Sequence, residues 1–548
     1  MQVDFQGGVD NLLKREVHYY YGDPTAQASV PVSPVAYPVW TDGLEFQAEV
    51  WDGGTNGQRL QTRQAVMAQR PFAATEHAWT QADGSMPPHD PRVCQVNTTL
   101  DSGGAAGVRF GYDALFNNET DQFEFDYSAA PSIVGAACYS GTAPSGYLRH
   151  TVTAFKTDAG YVSAGPNLVS LPVSRTVLDG ANRQASLETW GYDETALTDA
   201  AGTVSHDDTG FGTGHLVRGN MTTHAVWLSE TGALPSETLS YDTTGSVMSY
   251  RDFNGNTTNF AYGGLSNPAH VSPASVVSAL GATLGTRSYV YDQSTLRTTA
   301  MTDENGSVTN YSYESGALLL DRLLKVARAV GSPLETWTSY SYPTTTSVSV
   351  AQSQNTKTDA ALHSETQFNG FGRTIAVKQF ESASGFIQTT TAYDGLGRVQ
   401  TTTNPSRPGD GLNYATMTTY DGLGRVKSVA PPDGANTTIV YTGNQTEVTS
   451  PGTVAQVRRT VTDALGRLVS VTEDPAGLNY VTNYSYTSQG SVNSLLQMQS
   501  SQAAQLRTYL YNSRGLLVSA TNPENGTVGY SYDSNGNLKT RTAGNSVN

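Results

Sequence analysis

Histidine and carboxylate side chains cluster between residues 206 and 224, and both are groups that bind transition metals in proteins. The cluster consists of His206, Asp207, Asp208, His215 and His224. Its histidines follow one another at intervals of nine residues, which neither places two of them on one helix face nor matches a zinc-binding pattern. We interpret them as loop histidines in solvent and expect no metal site.

Two further segments have the alternating oxygen ligands with which a calcium-binding loop opens. They are Asp252-Phe253-Asn254-Gly255-Asn256 and Asp533-Ser534-Asn535-Gly536-Asn537. An EF-hand loop closes with a glutamate at its twelfth position, where this sequence has Gly263 and Gly544. Both segments are therefore predicted to be tight turns without a cation, and we expect no cofactor.

Sequence motifs for covalent or hydrolytic catalysis are missing. There is no G-x-S-x-G nucleophile elbow and no H-E-x-x-H zinc motif. The glycines of 210–214 form too short a run, far from any strand–helix pattern, to hold a phosphate. Carboxylates occur near tyrosines at many positions, but a sequence repeat, described below, explains them. No two carboxylates can therefore be singled out as a catalytic acid and base. We expect no catalytic residues and no enzyme activity.

The formal net charge is −16 and no stretch of the sequence is strongly basic, which argues against nucleic acid as a partner. A run of about 18 apolar residues, as a membrane-spanning helix needs, does not occur. The N-terminal residues Met1–Phe5 lack a basic stretch followed by an apolar core. We expect neither a membrane span nor a Sec-type signal in the chain as given.

Cys94 and Cys138 are the two cysteines of the chain. They could form one disulfide, but their spacing does not show whether they meet in space. The simpler interpretation is two isolated thiols.

Tyrosine–aspartate pairs recur at a nearly constant interval. This repeat indicates the secondary-structure elements that carry the histidine, carboxylate and amide side chains discussed above. A step of 21 residues separates Tyr420 from Tyr441, and the pattern Y-D-x-x-G-R-V occurs in full at 393–399 and 420–426. Aspartate accepts backbone N–H bonds and glycine supplies a positive φ, so each copy predicts a β-hairpin turn. The residues assigned to these turns are Tyr241, Asp242, Tyr291, Asp292, Tyr393, Asp394, Gly397, Arg398, Tyr420, Asp421, Gly424, Arg425, Asp463, Gly466, Arg467, Tyr532, Asp533 and Gly536.

A second type of turn alternates with the first. It reads D-x-N-G at 252–255 and 303–306, and Asn-Gly between strand-like residues is a strong hairpin signal. Aromatic residues occupy alternate positions on the returning strand, as at Tyr311 and Tyr313, so they share one face of the sheet. One repeat unit is thus predicted to be one hairpin.

The repeat divides the chain into residues 1–235, with degenerate copies such as Phe110-Gly111-Tyr112-Asp113, and residues 236–548, with regular copies. A helix competes with a strand pair at Ala317–Val330, which is rich in helix-forming residues. Open twisted sheets rarely exceed about 10 strands without curling. The predicted fold is all-β, with tandem hairpins in one long sheet that coils into a shell or partial shell.

The segments Y-D-G-L-G-R-V and Y-D-S-N-G-N-L resemble the YD repeats of bacterial Rhs proteins, of the C components of insecticidal toxin complexes and of teneurins. The resemblance implies a hollow spiral shell, often around a toxic C-terminal polypeptide, and a secreted or cell-surface location. Toxin-bearing relatives end the array with a self-cleaving aspartyl motif and a toxin, whereas this chain stops within a repeat at 541–545. We expect a fragment or short member of the family.

The expected function is that of a non-enzymatic shell or scaffold segment whose partner is a toxin or another cargo polypeptide. The alternative is a surface adhesin, because exposed tyrosines and amides suit sugar rings. In that case the partners are cell-surface glycans.

Overall fold

The structure is a computed structural model. It describes residues 1–6, 12–21, 43–53, 57–70, 91–134, 136–163, 165–200, 203–262, 273–279, 285–292, 294–315, 320–354, 357–359, 362–410, 414–452, 455–499 and 502–544. Every regular element in these ranges is a β-strand, so the predicted all-β fold is confirmed.

The strands follow one another along the chain at short intervals. The first nineteen are β1 Gln2–Gln6, β2 Leu12–Tyr20, β3 Glu45–Asp52, β4 Arg59–Gln69, β5 Pro91–Leu100, β6 Ala105–Tyr112, β7 Glu119–Phe125, β8 Tyr147–Phe155, β9 Pro172–Asp179, β10 Gln184–Tyr192, β11 Met221–Val226, β12 Ser236–Tyr241, β13 Val247–Arg251, β14 Thr257–Ala261, β15 Ser275–Val277, β16 Thr286–Tyr291, β17 Thr298–Thr302, β18 Val308–Tyr313 and β19 Leu323–Arg328. The others are β20 Thr336–Thr344, β21 Ser347–Gln352, β22 Leu362–Phe368, β23 Thr374–Phe380, β24 Phe386–Tyr393, β25 Val399–Thr403, β26 Ala415–Tyr420, β27 Val426–Ala430, β28 Thr437–Thr442, β29 Gln445–Ser450, β30 Gln456–Thr462, β31 Leu468–Glu473, β32 Tyr480–Tyr486, β33 Val492–Gln499, β34 Gln502–Tyr511, β35 Leu517–Asn522, β36 Gly526–Tyr532 and β37 Leu538–Ala543.

Each strand pairs antiparallel with the next one in the chain, so the 37 strands form one continuous meander. The pairing register shifts by one residue immediately before the tyrosine of each repeated turn, for example between Ala392 and Tyr393 and between Thr419 and Tyr420. A bulge of this kind bends the strand and increases its twist. Repetition of the bulge at hairpin after hairpin favours a sheet that curls.

The sheet coils on itself, because connections far apart in the chain touch. The connection after β3 contacts the connection after β26, which lies 23 strands further on, and the same offset relates the connections after β13 and β36. The contacting residues are 279 to 375 positions apart in the sequence. Successive connections of a meander lie at opposite edges of the sheet. Because the offset of 23 strands is odd, each contact joins a connection at one edge to a connection at the other edge. The second revolution of the sheet, here called the second layer, therefore stacks edge to edge on the first revolution, here called the first layer.

The largest side-chain core within the described ranges lies at β7 and β8. Phe123, Phe125 and Tyr147 are 0%, 1% and 6% exposed, respectively. The β7–β8 connection, described over 126–134 and 136–146 and here called the strap, folds back across this cluster and places the ring of Tyr139 4.6 Å from that of Phe123. The core is thus closed by a connection.

The strap also joins the two cysteines. Cys94 of β5 and Cys138 of the strap form a disulfide across 44 positions of the sequence. The interpretation as isolated thiols is therefore wrong. The strap returns across β5–β7, a fold-back that no local pattern in the sequence indicates.

The competing helix at Ala317–Val330 is not formed in the described part of that segment, which contains strand β19. Its residues alternate in exposure, since Lys325 is exposed while Val326 is only 6% exposed, and β19 pairs with both β18 and β20. Two neighbouring strands outweigh the local helix propensity. Throughout the ranges that the structure describes, no helix has the length and apolar character needed to cross a membrane.

Candidate functional site: the repeated turns and the seam

The aspartate of each repeated turn organises the turn from within. In the 393–399 copy, Asp394 Oδ1 accepts hydrogen bonds from the backbone N–H of Leu396 and Arg398 at 3.0 and 2.9 Å. Asp394 Oδ2 accepts one from Arg398 Nε at 2.7 Å. Gly397 has a φ of 79°, a conformation that costs residues with a Cβ. The carboxylate, the glycine and the arginine therefore specify one compact turn.

The arginine and tyrosine connect each turn to the next one along the same edge of the sheet. The guanidinium of Arg398 lies 4.6 Å from the ring centre of Tyr420 and donates to the carbonyl of Asp421 at 2.9 Å. In return, Tyr420 Oη donates to the carbonyl of Val399 at 2.8 Å. The whole pattern Y-D-x-x-G-R-V thus works as one reciprocal link between neighbouring hairpins.

The tyrosine link extends over most of the sheet, including the degenerate half. Hydroxyl-to-carbonyl hydrogen bonds of 2.5 to 3.2 Å run from Tyr112 to Val93, Tyr192 to Pro172, Tyr241 to Met221, Tyr291 to Pro273, Tyr313 to Thr298, Tyr342 to Leu323, Tyr393 to Thr374, Tyr441 to Val426, Tyr486 to Leu468 and Tyr532 to Leu517. The accepting residue generally begins the preceding strand or lies close to its start. Cross-strand register places these tyrosines on one face, here called the tyrosine face.

Replacing Tyr393 by phenylalanine should lower the local stability of β23–β25 by about 1 kcal/mol, because one intramolecular hydrogen bond is lost while the ring is kept. Native-state hydrogen exchange of these strands measures the change. Tyr414→Phe is the control, because the Tyr414 side chain is 50% exposed. Equal losses in the two variants would contradict a specific role for the hydroxyl.

The other residues assigned to the turns take comparable positions. Asp242 is 1% exposed and Asp463 is 3% exposed. Asp292 Oδ1 accepts hydrogen bonds from the backbone N–H groups of Ser294 and Thr295. The pairs Asp421–Arg425 and Asp463–Arg467 repeat the ion pair of the 393–399 copy at 2.6 and 2.7 Å. Positive φ angles of 80°, 76° and 87° occur at Gly424, Gly466 and Gly536.

Besides linking neighbours, the turns of the second layer contact the first layer along a line that we call the seam. It joins the end of β3, the connections after β5, β7, β11 and β13 and the start of β10 to the connections after β26, β28, β30, β32, β34 and β36. At its beginning, Asp52 accepts from the backbone N–H of Gly422 at 2.9 Å and from Lys427 Nζ at 3.1 Å. Asp101 likewise accepts from the N–H of Gly443 at 2.6 Å.

Further along the seam, both layers contribute side chains. Ser229 and Ser513 exchange two hydrogen bonds of 3.0 Å, in which the hydroxyl of each accepts the backbone N–H of the other. Asn512 Nδ2 donates to Glu230 at 2.6 Å. The seam is therefore a series of polar contacts formed by hairpin connections and by the strand ends beside them.

The two calcium-like segments meet at the end of the seam. Asn254 Nδ2 donates to Asp533 at 2.9 Å, and Asn535 Nδ2 donates to Asp252 at 2.8 Å. Both segments form turns, as predicted. The carboxylate of each turn accepts hydrogen bonds from side-chain amides of both turns. The sequence offers one signal for this contact, because both segments have the same D-x-N-G-N pattern.

These amides also set the ionisation of the carboxylates. The side-chain amide of Asn537 is the main cause that lowers the pKa of Asp533 to about 2, with a smaller contribution from Asn254. Asn256 and then Asn535 lower the pKa of Asp252. Because the folded-state pKa values are depressed, these contacts are complete above the ordinary aspartate pKa and weaken as the pH falls toward 2.

His215 is an exposed residue outside the strands, as interpreted, whereas His206 and His224 differ from the interpretation as loop histidines in solvent. His206 contacts Asp208 at 2.7 Å and the carbonyl of Thr243 at 3.0 Å. His224 lies within β11 and stacks on Trp190 at 5.7 Å. Both side chains are mostly buried, at 14% and 20% exposure. Across the described ranges, no three histidine, cysteine or carboxylate side chains come together in a way that could hold a metal.

Described residues line open clefts in the second layer and at the seam. One, of 490 Å³, lies on the tyrosine face and is lined by residues that include Tyr480, Tyr484 and Gln497. The other, of 480 Å³, lies at the seam, with Trp227 and Tyr511 among its lining residues. Flat rings beside amide side chains are suited to polar ligands with apolar faces, such as sugars.

Comparison with known proteins identifies what this arrangement resembles. The sequence pattern of the teneurin YD-shell family matches residues 351–547. No curated protein matches the chain. The crystal structure of TcdB2-TccC3 superimposes on 98% of the chain with a TM-score of 0.66 at 12% identity.

Two related crystal structures give the same result. TcdB2-TccC3 without its hypervariable C-terminal region has a TM-score of 0.66 at 11% identity over 97% of the chain, and TcdB2-TccC3-Cdc42 has 0.66 at 11% over 98%. The matched regions make up 35%, 36% and 37% of these three longer chains, so the present chain spans little more than a third of their length. The likeness shows a common fold.

Proposed function

Because the chain is a YD/Rhs-repeat protein, we propose that it forms part of the wall of a β-sheet shell that encloses a polypeptide cargo. The observation that carries the proposal is the seam, since a sheet whose layers are joined edge to edge separates an inside from an outside. An open sheet would leave those edges exposed to other chains.

The dimensions of the coil suit such a cargo. With neighbouring strands about 4.8 Å apart, one revolution of 23 strands measures roughly 110 Å, which corresponds to a ring of about 35 Å in diameter. After side chains are allowed for, that ring accommodates a polypeptide but greatly exceeds a small-molecule pocket.

Two further features support this role. One of the matched structures is described as lacking a hypervariable C-terminal region, which fits a constant shell around a variable segment. The disulfide between Cys94 and Cys138 fits an oxidising, extracellular compartment. On this proposal, the protein is a secreted or cell-surface shell segment that encloses its cargo and has no catalytic activity of its own. The proposed class of cargo is a toxin.

Protection of a reporter tests enclosure. A small reporter with a site for a sequence-specific protease is joined after Asn548, and its cleavage should be slower than that of the free reporter by about tenfold or more. The double variant Asp52→Ala, Asn254→Ala removes the side-chain contacts that these two residues make at opposite ends of the seam and should restore rapid cleavage. Cleavage at the free rate in a chain that electron microscopy shows to be coiled would refute enclosure.

Binding of cell-surface glycans is a second candidate, and the clefts are the observation in its favour. Tyr480 and Tyr484 present rings beside the amides of Gln497 and Gln505 in the 490 Å³ cleft. A glycan array would give signals that Tyr480→Ala abolishes if this cleft binds sugar. Signals that survive this substitution, or no signal, would count against the candidate.

A further inference from the structure

The strap lies directly against the sheet, on the face opposite the tyrosine face. Gln95 Nε2 and Asn97 Nδ2 of β5 both donate to the carbonyl of Pro131, at 2.9 and 2.8 Å. Further along the strap, the backbone N–H of Tyr139 donates to the carbonyl of Phe110 at 2.7 Å. These contacts hold the strap across β5 and β6.

Two glycines in β6 make this close approach possible. A Cβ at Gly107 would lie 3.0 Å from the Cβ of Ala130, and one at Gly111 would lie 2.9 Å from the ring of Tyr139. Larger residues at either position would push the strap off the sheet. The two glycines of β6 therefore allow the strap to lie in direct contact with the sheet.

A β-bulge in β5 orients the side chain of the buried Cys94 toward the strap. Val66 pairs with Gln95 and Met67 pairs with Val93, so Cys94 is an extra residue in β5. A bulge lets consecutive side chains point to the same side of a sheet. Cys94 is 0% exposed and is bonded to Cys138, which is half-buried in the strap.

The other end of the strap is part of the seam. Asp126, its first residue, accepts a hydrogen bond at 2.9 Å from the backbone N–H of Ala464, within the repeated turn of the second layer. Asp126 is fixed by the turn that follows it, in which Ala129 N–H donates to its carbonyl at 2.9 Å. One short segment therefore connects the disulfide to the contact between layers.

From this connection we infer that the Cys94–Cys138 disulfide is a redox-operated clip that keeps the strap on the sheet and the seam closed at residues 463–467. The bond closes a loop of 44 positions and so restricts the open states of the strap. The proposal concerns the wall itself and stands without the proposed cargo.

Opening requires a dithiol reductant. One thiolate of the reductant attacks the sulfur of Cys138, because Cys94 is inaccessible, and the Cys94 thiolate leaves and takes up a proton. The second thiolate of the reductant then displaces the Cys138 sulfur, which is also protonated. Two cysteine thiols and one oxidised reductant result. The freed strap exposes the ring of Phe123 and no longer fixes Asp126.

Hydrogen exchange of the whole chain with and without a dithiol tests the clip. Reduction should accelerate exchange by about tenfold or more at Tyr139, in the strap, and at Ala464, in the seam. The turn at 421–425 is the internal control, because it contacts Asp52 at a distant point of the seam and should not change. Thiol counting confirms that the disulfide has been reduced.

Two variants separate the parts of the inference. Cys138→Ser should give fast exchange at both sites without reductant, whereas Asp126→Ala should accelerate exchange at Ala464 and leave Tyr139 slow. Fast exchange at Tyr139 with unchanged exchange at Ala464 after reduction would overturn the link to the seam. Unchanged exchange at both sites after complete reduction would overturn the clip. Neither result depends on whether a reporter is enclosed.

Discussion

Replacing Phe123 by alanine should cost about 3 to 5 kcal/mol of local stability, the usual range for a large aromatic side chain deleted from a core. Phe123 is 0% exposed and its ring stacks on His150 at a centroid distance of 3.7 Å, with Tyr147 at 5.3 Å. In the described part of the chain, buried apolar side chains outside this cluster are scattered along the sheet and offer little compensation. Native-state hydrogen exchange of β6–β8 measures the loss.

The matched control for this substitution is Phe371→Ala. Phe371 lies in a repeated turn, is 83% exposed and has the guanidinium of Arg373 5.2 Å from its ring centre, so its replacement should change stability by about 1 kcal/mol or less. The comparison holds the chemical change constant and contrasts a buried ring with an exposed one. A similar effect of both substitutions would mean that the strap does not form a core.

The second large effect is expected for Asp421→Ala, at about 3 kcal/mol in β26–β28. The buried carboxylate accepts from the N–H of Leu423 and from the N–H and Nε of Arg425, so its removal leaves two backbone groups and a guanidinium without their acceptor. The guanidinium lies 4.1 Å from the ring of Tyr441, so its displacement also weakens the link to the next hairpin.

Asp433→Ala provides the control for the turn aspartate. Asp433 is an exposed residue of the β27–β28 connection, and its Oδ1 accepts from the N–H of Ala435 at 2.9 Å. Its loss should cost about 1 kcal/mol or less. Hydrogen exchange of the surrounding strands distinguishes the two, and equal costs would show that the Asp–Arg–Tyr link adds nothing beyond turn capping.

The sequence predicts the hairpins of this protein well, because the information that specifies each turn is local. Asp394, Gly397 and Arg398 lie within five residues of one another and interact within one turn. The alternation of Tyr311 and Tyr313 likewise identifies their common face. The hydroxyl-to-carbonyl link is less evident, because its acceptor is a backbone group of the preceding strand that any residue could supply.

The seam and the strap could not be predicted in the same way. The contact between Asp52 and Gly422 spans 370 positions and depends on the summed curvature of all the strands between them. The disulfide depends on a bulge at Cys94 and on a connection that folds back, neither of which has a periodic signature. The histidine spacing, which matches no metal site, predicts a loop at His224, whereas His224 lies in a strand next to Trp190.

The constant offset between the two layers limits how such a chain can change in evolution. Residues inserted into a connection away from the seam lengthen one loop and leave every other contact in place. A hairpin inserted within the first revolution would instead shift all later turns by two strands, so that Asp52 would face a different partner than Gly422. A single inserted strand would reverse the edges altogether. Growth of the array is therefore expected at its ends, where no existing contact has to be re-registered.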